Sequence, residues 1–239
     1  MAPAPGEFLS HLRTEGYHPR SDKHSNLLAS LIVRDLLSFC EPMAEKAQGG
    51  KLVYQLNQTL YTGTAEWNVD LVLGEPPPGA EFDLEKCDIA RAAPSSVQIA
   101  LEIKSVMTEH RKAVKNRKRD FEAHHDHVHR YNNRTIAAGL LLLNGSKSFK
   151  SPLRNEPTEH KNPEKLLEHC IRELRAVSHR VDLSGTGLEA KGVLVVDFDN
   201  QDLASASYVT RGSAPAVGDP LHYDAFLQRI CGLYPERFG

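Results

Sequence analysis

The chain has 239 residues, 40% hydrophobic and 25% charged, with 29 Lys+Arg against 31 Asp+Glu. That length and composition support a buried core without staples and exclude disorder, collagen-like repeats and a disulfide scaffold as the main description. The formal charge of −2 hides a polarity, because Lys104 to Arg154 carries twelve Lys/Arg against four Asp/Glu. A face so positive points to a large anionic partner, usually nucleic acid.

The longest aliphatic stretch, Leu140 to Leu143, is strand-sized and far below the ~20 residues a membrane helix needs. Met1-Ala2-Pro3-Ala4-Pro5 lacks the basic start and apolar middle of a signal peptide. Cys40, Cys87, Cys170 and Cys231 form no CxxC pair, so they read as reduced thiols. These features predict a cytoplasmic protein with no membrane association.

The first clear periodicity runs from Asp22 to Ala47, where Leu27, Leu28, Leu31, Ile32, Leu36 and Leu37 recur with helical spacing. Gly49-Gly50 stops this helix, and Pro42 bends it or ends it early. Lys51 to Tyr61 and Glu66 to Leu73 alternate around Thr62-Gly63-Thr64-Ala65, predicting a hairpin. Pro76-Pro77-Pro78-Gly79 closes the second strand and a polar connection leads to Pro94.

Val97 to Lys104 reads as the third strand, with Val97, Ile99, Leu101 and Ile103 on one face and Gln98, Ala100, Glu102 and Lys104 on the other. A helix capped by Thr108, with Glu109 in its first turn, then runs to Tyr131. Thr135 to Leu143 is apolar enough for a strand covered on both faces. After a loop rich in proline and charge come a helix (Pro163 to His179), a buried strand (Gly192 to Phe198) and a short helix (Pro220 to Gly232). The order predicts a single α/β domain over residues 1–239, with a central mixed sheet flanked by helices.

Glu102 and Lys104 leave the same face of their strand, about 6–7 Å apart along it. Asp70 sits between Val69 and Leu71, where a carboxylate is costly unless it is paired or binds a metal. If its strand neighbours the third, Asp70 and Glu102 can hold a hard cation such as Mg²⁺, with Lys104 beside the attacking water. That is equipment for metal-assisted phosphodiester hydrolysis.

Asp70, thirty-one intervening residues and Glu102-Ile103-Lys104, set in a helix-strand-strand-strand-helix-strand order, resemble the core of the PD-(D/E)XK nucleases. The resemblance covers residues 22 to 144 and leaves 145 to 239 as an elaboration; Val69 stands where the family name expects Pro. It implies a restriction-endonuclease-like αβββαβ core. Asp70, Glu102 and the Ile103 carbonyl would be metal ligands, and Lys104 would orient or deprotonate the water. Some members add an acid from the first helix, for which the candidates are Asp35 and Glu45.

Arg111, Lys112, Lys115, Arg117, Lys118 and Arg119 give six basic residues in nine. Met107, Val114, Phe121 and Val128 form a narrow docking seam, so the basic residues read as a DNA-contacting surface that gives affinity and salt dependence. Among His124, His125, His127 and His129, the pair His125 and His129 has zinc-compatible spacing, but packing is the favoured reading, with His124 and His125 half-buried. Glu66 is about 13 Å along the strand from Asp70 and reads as a solvated carboxylate. Asp197 and Asp199 read as structural, and Gly145 to Pro163 and Ser205 to Asp219, the latter with Arg211, are candidate groove-entering loops.

The resemblance, with the chain's size, implies a Mg²⁺-dependent endonuclease of the type II restriction kind that cuts double-stranded DNA to 5′-phosphate and 3′-hydroxyl ends, and cutting both strands is most simply done by a homodimer. The rival expectations are a structure-specific or repair nuclease without sequence preference and a non-catalytic nucleic-acid-binding module.

Overall fold

A computed structural model describes residues 3–239 apart from residues 86 and 109, with the side chains of 110–112 also outside the described set. Its first element, α1 (Ala4–Glu15), has no counterpart among the expected elements. Pro5 suits its first turn, where no N–H is required, and Phe8, Leu9 and Leu12 are its buried stripe. The predicted Asp22–Ala47 helix is two, α2 (Lys23–Phe39) and α3 (Glu41–Gln48), broken at the extended residue Cys40 just before Pro42. Proline cannot donate the hydrogen bond that would carry the first helix through.

The hairpin forms from β1 (Val53–Thr62) and β2 (Ala65–Glu75). A two-residue strand, β3 (Ala90–Arg91), lies inside the polar connection and pairs with β1. Next come β4 (Ser96–Val106), α4 (His110–Tyr131) and β5 (Ile136–Asn144). The loop after β5 contains a short hairpin, β6 (Ser148–Phe149) and β7 (Thr158–Glu159). It is followed by α5 (Pro163–Arg175), β8 (Ala190–Asp197), β9 (Ser207–Tyr208) and α6 (Tyr223–Phe238). The last helix runs past the expected stop at Gly232, because Leu233 and Tyr234 are buried and their packing outweighs local glycine and proline signals.

Seven strands make one mixed sheet in the order β3-β1-β2-β4-β5-β8-β9. The β1/β2 and β2/β4 pairs are antiparallel, whereas β4/β5 and β5/β8 are parallel. This is the expected single-domain α/β architecture, with helices on both faces of the sheet. Two-residue strands at both edges leave little backbone to pair with another chain. One face packs on α1, α2, α3 and α6, and the other on α4 and α5. Among the described residues no helix is long and apolar enough to cross a membrane.

The expected alternation along β4 fails at its start. A bulge at Leu73/Gly74 shifts the β2/β4 register, so Val97 packs in the α4–α5 layer while Gln98 reaches the opposite layer and accepts a 2.7 Å hydrogen bond from Tyr234. Gly74 is required there, since a Cβ would lie 1.9 Å from the Ser96 carbonyl oxygen. Beyond the bulge, Ile99, Leu101 and Ile103 face the α1–α2 layer. The expectation of a polar opposite face also needs correction: α4 covers it, and Glu102 is 2% exposed.

Candidate active site

Pairing of Leu71 with Leu101 sets Asp70 beside the Glu102-Ile103-Lys104 run on the neighbouring strand. The Ile103 N–H donates to Asp70 Oδ2 at 2.7 Å. The Lys104 ammonium lies 3.9 Å from the same oxygen and forms an ion pair with Glu102 Oε1. Three side chains separated by up to 34 residues thus meet around one nitrogen, as the spacing led one to expect. Asp70 and Lys104 line a cleft of about 200 Å³ together with Ile103, Ser105, Tyr17 and Arg117, among others, while Glu102 is buried beside Lys104.

The electrostatics follow from burial. Burial and then the nearby Asp70 charge push the Glu102 carboxyl up to about 8, against the opposing pull of Lys104. Burial also raises Asp70, with Lys104, the Ile103 N–H and Arg117 opposing it. For Lys104, burial alone would favour the neutral amine, but Glu102 and Asp70 outweigh it and raise its pKa, so it remains an ammonium.

Behind Glu102 stands His124, which is fully buried rather than half-buried as expected. The Trp67 indole N–H donates to His124 Nδ1 at 3.3 Å, and His124 Nε2 lies 3.2 Å from the Ala100 carbonyl oxygen. Because an indole can only donate, Nδ1 must accept, and the proton sits on Nε2 and is given to Ala100. Burial holds this imidazole neutral, with its pKa lowered to about 3. Glu102 Oε2, 3.7 Å from Nδ1, therefore gains no ion pair there, and it has no hydrogen-bond partner among the described residues.

Two carboxylates, one with a buried and unpartnered oxygen, suit a hard divalent cation. Asp70 and Glu102 would hold it, with the Ile103 main chain as the expected further donor. Among the described residues no three His, Cys, Asp or Glu side chains form a metal-binding group. The expected Asp22–Ala47 helix, now α2 and α3, adds no acid: Asp35 is buried against the Ala4 N–H and the Tyr223 hydroxyl, and Glu45 is exposed. At the cleft α2 instead contributes His24, Ser25 and Leu28.

The basic surface divides. Arg117 lines the cleft and pairs with Asp120 at 2.8 Å, Lys118 pairs with Glu122 at 2.7 Å, and Lys115 and Arg119 are exposed. The Arg111 and Lys112 side chains lie outside the described residues, as does Glu109. Val114, Phe121 and Val128 are buried as the seam requires, while Met107 precedes the helix and packs in the other layer. Gly139 on β5 permits this docking: a Cβ there would lie 2.8 Å from the Phe121 ring.

His129 lies 3.2 Å from Glu189, a buried carboxylate also held by Arg180 and Arg237. His127 stacks on Trp67 with ring centroids 5.0 Å apart. Glu66 is exposed beside the hairpin turn. Asp199 accepts from the N–H groups of Gln201 and Asp202, a turn-forming role. Sequence reasoning missed Tyr17, His24, Ser105 and the Trp67–His124 pair. Ser105, directly after Lys104, was the one with a positional signal.

Comparison of the chain with protein-family models, with curated proteins and with solved structures finds no match in any of the three.

Proposed function

We propose that this protein is a Mg²⁺-dependent DNA endonuclease that hydrolyses phosphodiester bonds to 5′-phosphate and 3′-hydroxyl ends. The observation that carries the reading is the convergence of Asp70, Glu102 and Lys104 from two adjacent strands, with Asp70 and Lys104 lining a cleft. The D…ExK resemblance is the second support, and the exposed Lys115 and Arg119 suit contact with a phosphate backbone. The finer reading is a cytoplasmic, homodimeric type II restriction enzyme acting on duplex DNA.

A divalent ion bound by Asp70 and Glu102 would activate water and neutralise charge developing on the phosphoryl oxygens. The chain's own part is positional and electrostatic. As an ammonium, Lys104 suits orienting the attacking water and stabilising the pentavalent phosphorus rather than removing a proton. Water oxygen bonds to phosphorus, the P–O3′ bond breaks, and the water proton leaves to solvent as the 3′-oxygen gains one. Asp70, fixed by the Ile103 N–H, lines the cleft.

The test is incubation of the purified protein with plasmid and phage DNA, with Mg²⁺, with Mn²⁺ and with chelator, followed by sequencing of fragment ends. Metal-dependent 5′-phosphate ends sharing one short motif are the expected result. Metal-dependent ends without a motif would replace the restriction reading with a nonspecific or structure-specific nuclease. No cutting with either metal would overturn the hydrolase reading.

A further inference from the structure

Tyr17 and Ser105 line the same cleft as Asp70 and Lys104. Tyr17 lies in the link between α1 and α2, where an irregular segment would ordinarily be free to move. Here it is clamped from both sides. Its N–H donates to Asn200 Oδ1 at 2.8 Å, and its carbonyl accepts from Asn200 Nδ2 at 3.0 Å. Asn200 adopts a left-handed φ of 62° to do this, and its amide also holds the Lys150 carbonyl at 2.8 Å.

The Tyr17 ring is fixed as firmly as its backbone. It stacks on His24 with centroids 4.6 Å apart and meets Phe149 edge-on at 6.2 Å. His24 in turn is held by the His18 N–H at 2.9 Å and by His11 at 3.0 Å. The outcome is a phenol delivered to one point, 2.6 Å from the hydroxyl of Ser105, the residue after Lys104.

Two hydroxyls that share one hydrogen bond own two protons and spend one. Whichever of them donates, the pair keeps a single O–H for a further acceptor. Burial raises the Tyr17 pKa, so the phenol stays protonated and the spare donor persists. Arg117 lines the same cleft, and its buried Nε has no partner among the described residues. The cleft lining thus brings together the Asp70 carboxylate, the spare hydroxyl donor and the Arg117 guanidinium, which also pairs with Asp120. At about 200 Å³ the cleft lies below the ~300–1,000 Å³ range of pockets for larger organic ligands and has room for a single phosphate group.

We propose that the Tyr17 and Ser105 hydroxyls, with the Arg117 guanidinium, form the subsite that receives the non-bridging oxygens of a substrate phosphate. That this phosphate is the scissile one rests on the hydrolase reading above; that the subsite binds a phosphate oxyanion does not. Tyr17→Phe is the informative change, because it keeps the ring on His24 and Phe149 and removes only the hydroxyl. Ser105→Ala is the second, smaller change.

The experiment is thermal unfolding of the full chain in chelator, with inorganic phosphate against chloride at equal ionic strength. At phosphate tenfold above its Kd, the wild type is expected to gain about 4 °C in Tm. Tyr17→Phe, Ser105→Ala and the double variant should start from a similar Tm and lose most of that gain. In cleavage assays kcat/KM of the double variant should fall about tenfold to a hundredfold. Equal phosphate protection in wild type and variants, or none in the wild type, would overturn the subsite even if the wild type cuts DNA. Protection abolished in the variants while the wild type cuts no DNA would keep the subsite and discard the hydrolase.

Discussion

Replacing Glu102 with glutamine should stabilise the protein while abolishing cleavage, and the gain should depend on pH in a defined direction. The folded chain holds the Glu102 proton more tightly than the unfolded chain, with a pKa raised from 4.5 to about 8. Native stability is therefore lost progressively as pH rises from 4.5 towards about 8, and the loss is complete above it. At about 1.36 kcal/mol per unit the ceiling is about 5 kcal/mol. Relaxation and water entry around a buried charge reduce this to about 2 kcal/mol. Glutamine does not ionise, keeps the shape, and places an N–H₂ where Oε2 lacks a partner beside His124. In chelator the variant should match the wild type near pH 5 and exceed it by about 2 kcal/mol, or about 4–8 °C in Tm, near pH 9. Mg²⁺ should close the gap by stabilising the wild type alone, by about 2.7 kcal/mol at a hundred times its Kd. A difference between the two proteins that is constant from pH 5 to pH 9 would refute the reasoning.

Lys104→Ala should cut kcat by about 10²–10³ with DNA affinity in chelator little changed, as cleavage and anisotropy measurements on one duplex would report. Lys115→Ala and Arg119→Ala should each lower the slope of log K against log salt by about 0.9, whereas Lys118→Ala, whose cation already has Glu122, should lower it less. Gly139→Ala should cost about 1–3 kcal/mol in urea unfolding, since its methyl group would press on Phe121 and Leu188. In combination with Phe121→Ala, itself worth about 3–5 kcal/mol, the cost should be less than additive, because the Phe121 share of the clash disappears with the ring while that of Leu188 stays.

What the sequence disclosed is what local pattern encodes. Hydrophobic alternation located β1, β2 and β4, continuous apolar runs located β5 and β8, and the fixed rise of a strand was enough to predict that Glu102 and Lys104 would share a face. Asp70 was legible because a carboxylate flanked by Val69 and Leu71 conflicts with its surroundings. The bulge at Leu73/Gly74 was not legible, since it answers to the approach of Ser96 across the strand pair. Helix α1 was missed although Phe8, Leu9 and Leu12 are suitably spaced, because Pro3 and Pro5 at its start resemble a loop when their role in a first turn is not considered. Cys40 and Cys231, 191 residues apart, lie near one another: the Cys40 thiol is 3.8 Å from the Cys231 carbonyl oxygen. Contacts of that separation belong to topology, as do those of Asn200 with Tyr17.

The Trp67–His124 pair bears on why Glu102 is so ill at ease. A protonated imidazole behind that carboxylate would neutralise it permanently and leave little attraction for a metal. Instead, the indole N–H fills the imidazole's acceptor and the Ala100 carbonyl takes its one proton, so His124 has nothing to offer Glu102. Burial by α4 removes water as an alternative donor. Lys104 satisfies one carboxylate oxygen and leaves the other bare. The residual cost is relieved by a proton below about pH 8, and a bound cation would relieve it wherever the carboxylate is ionised. A neutral histidine therefore serves this site better than a charged one, and the basic helix that carries it both seals the carboxylate from water and lines the cleft with Arg117.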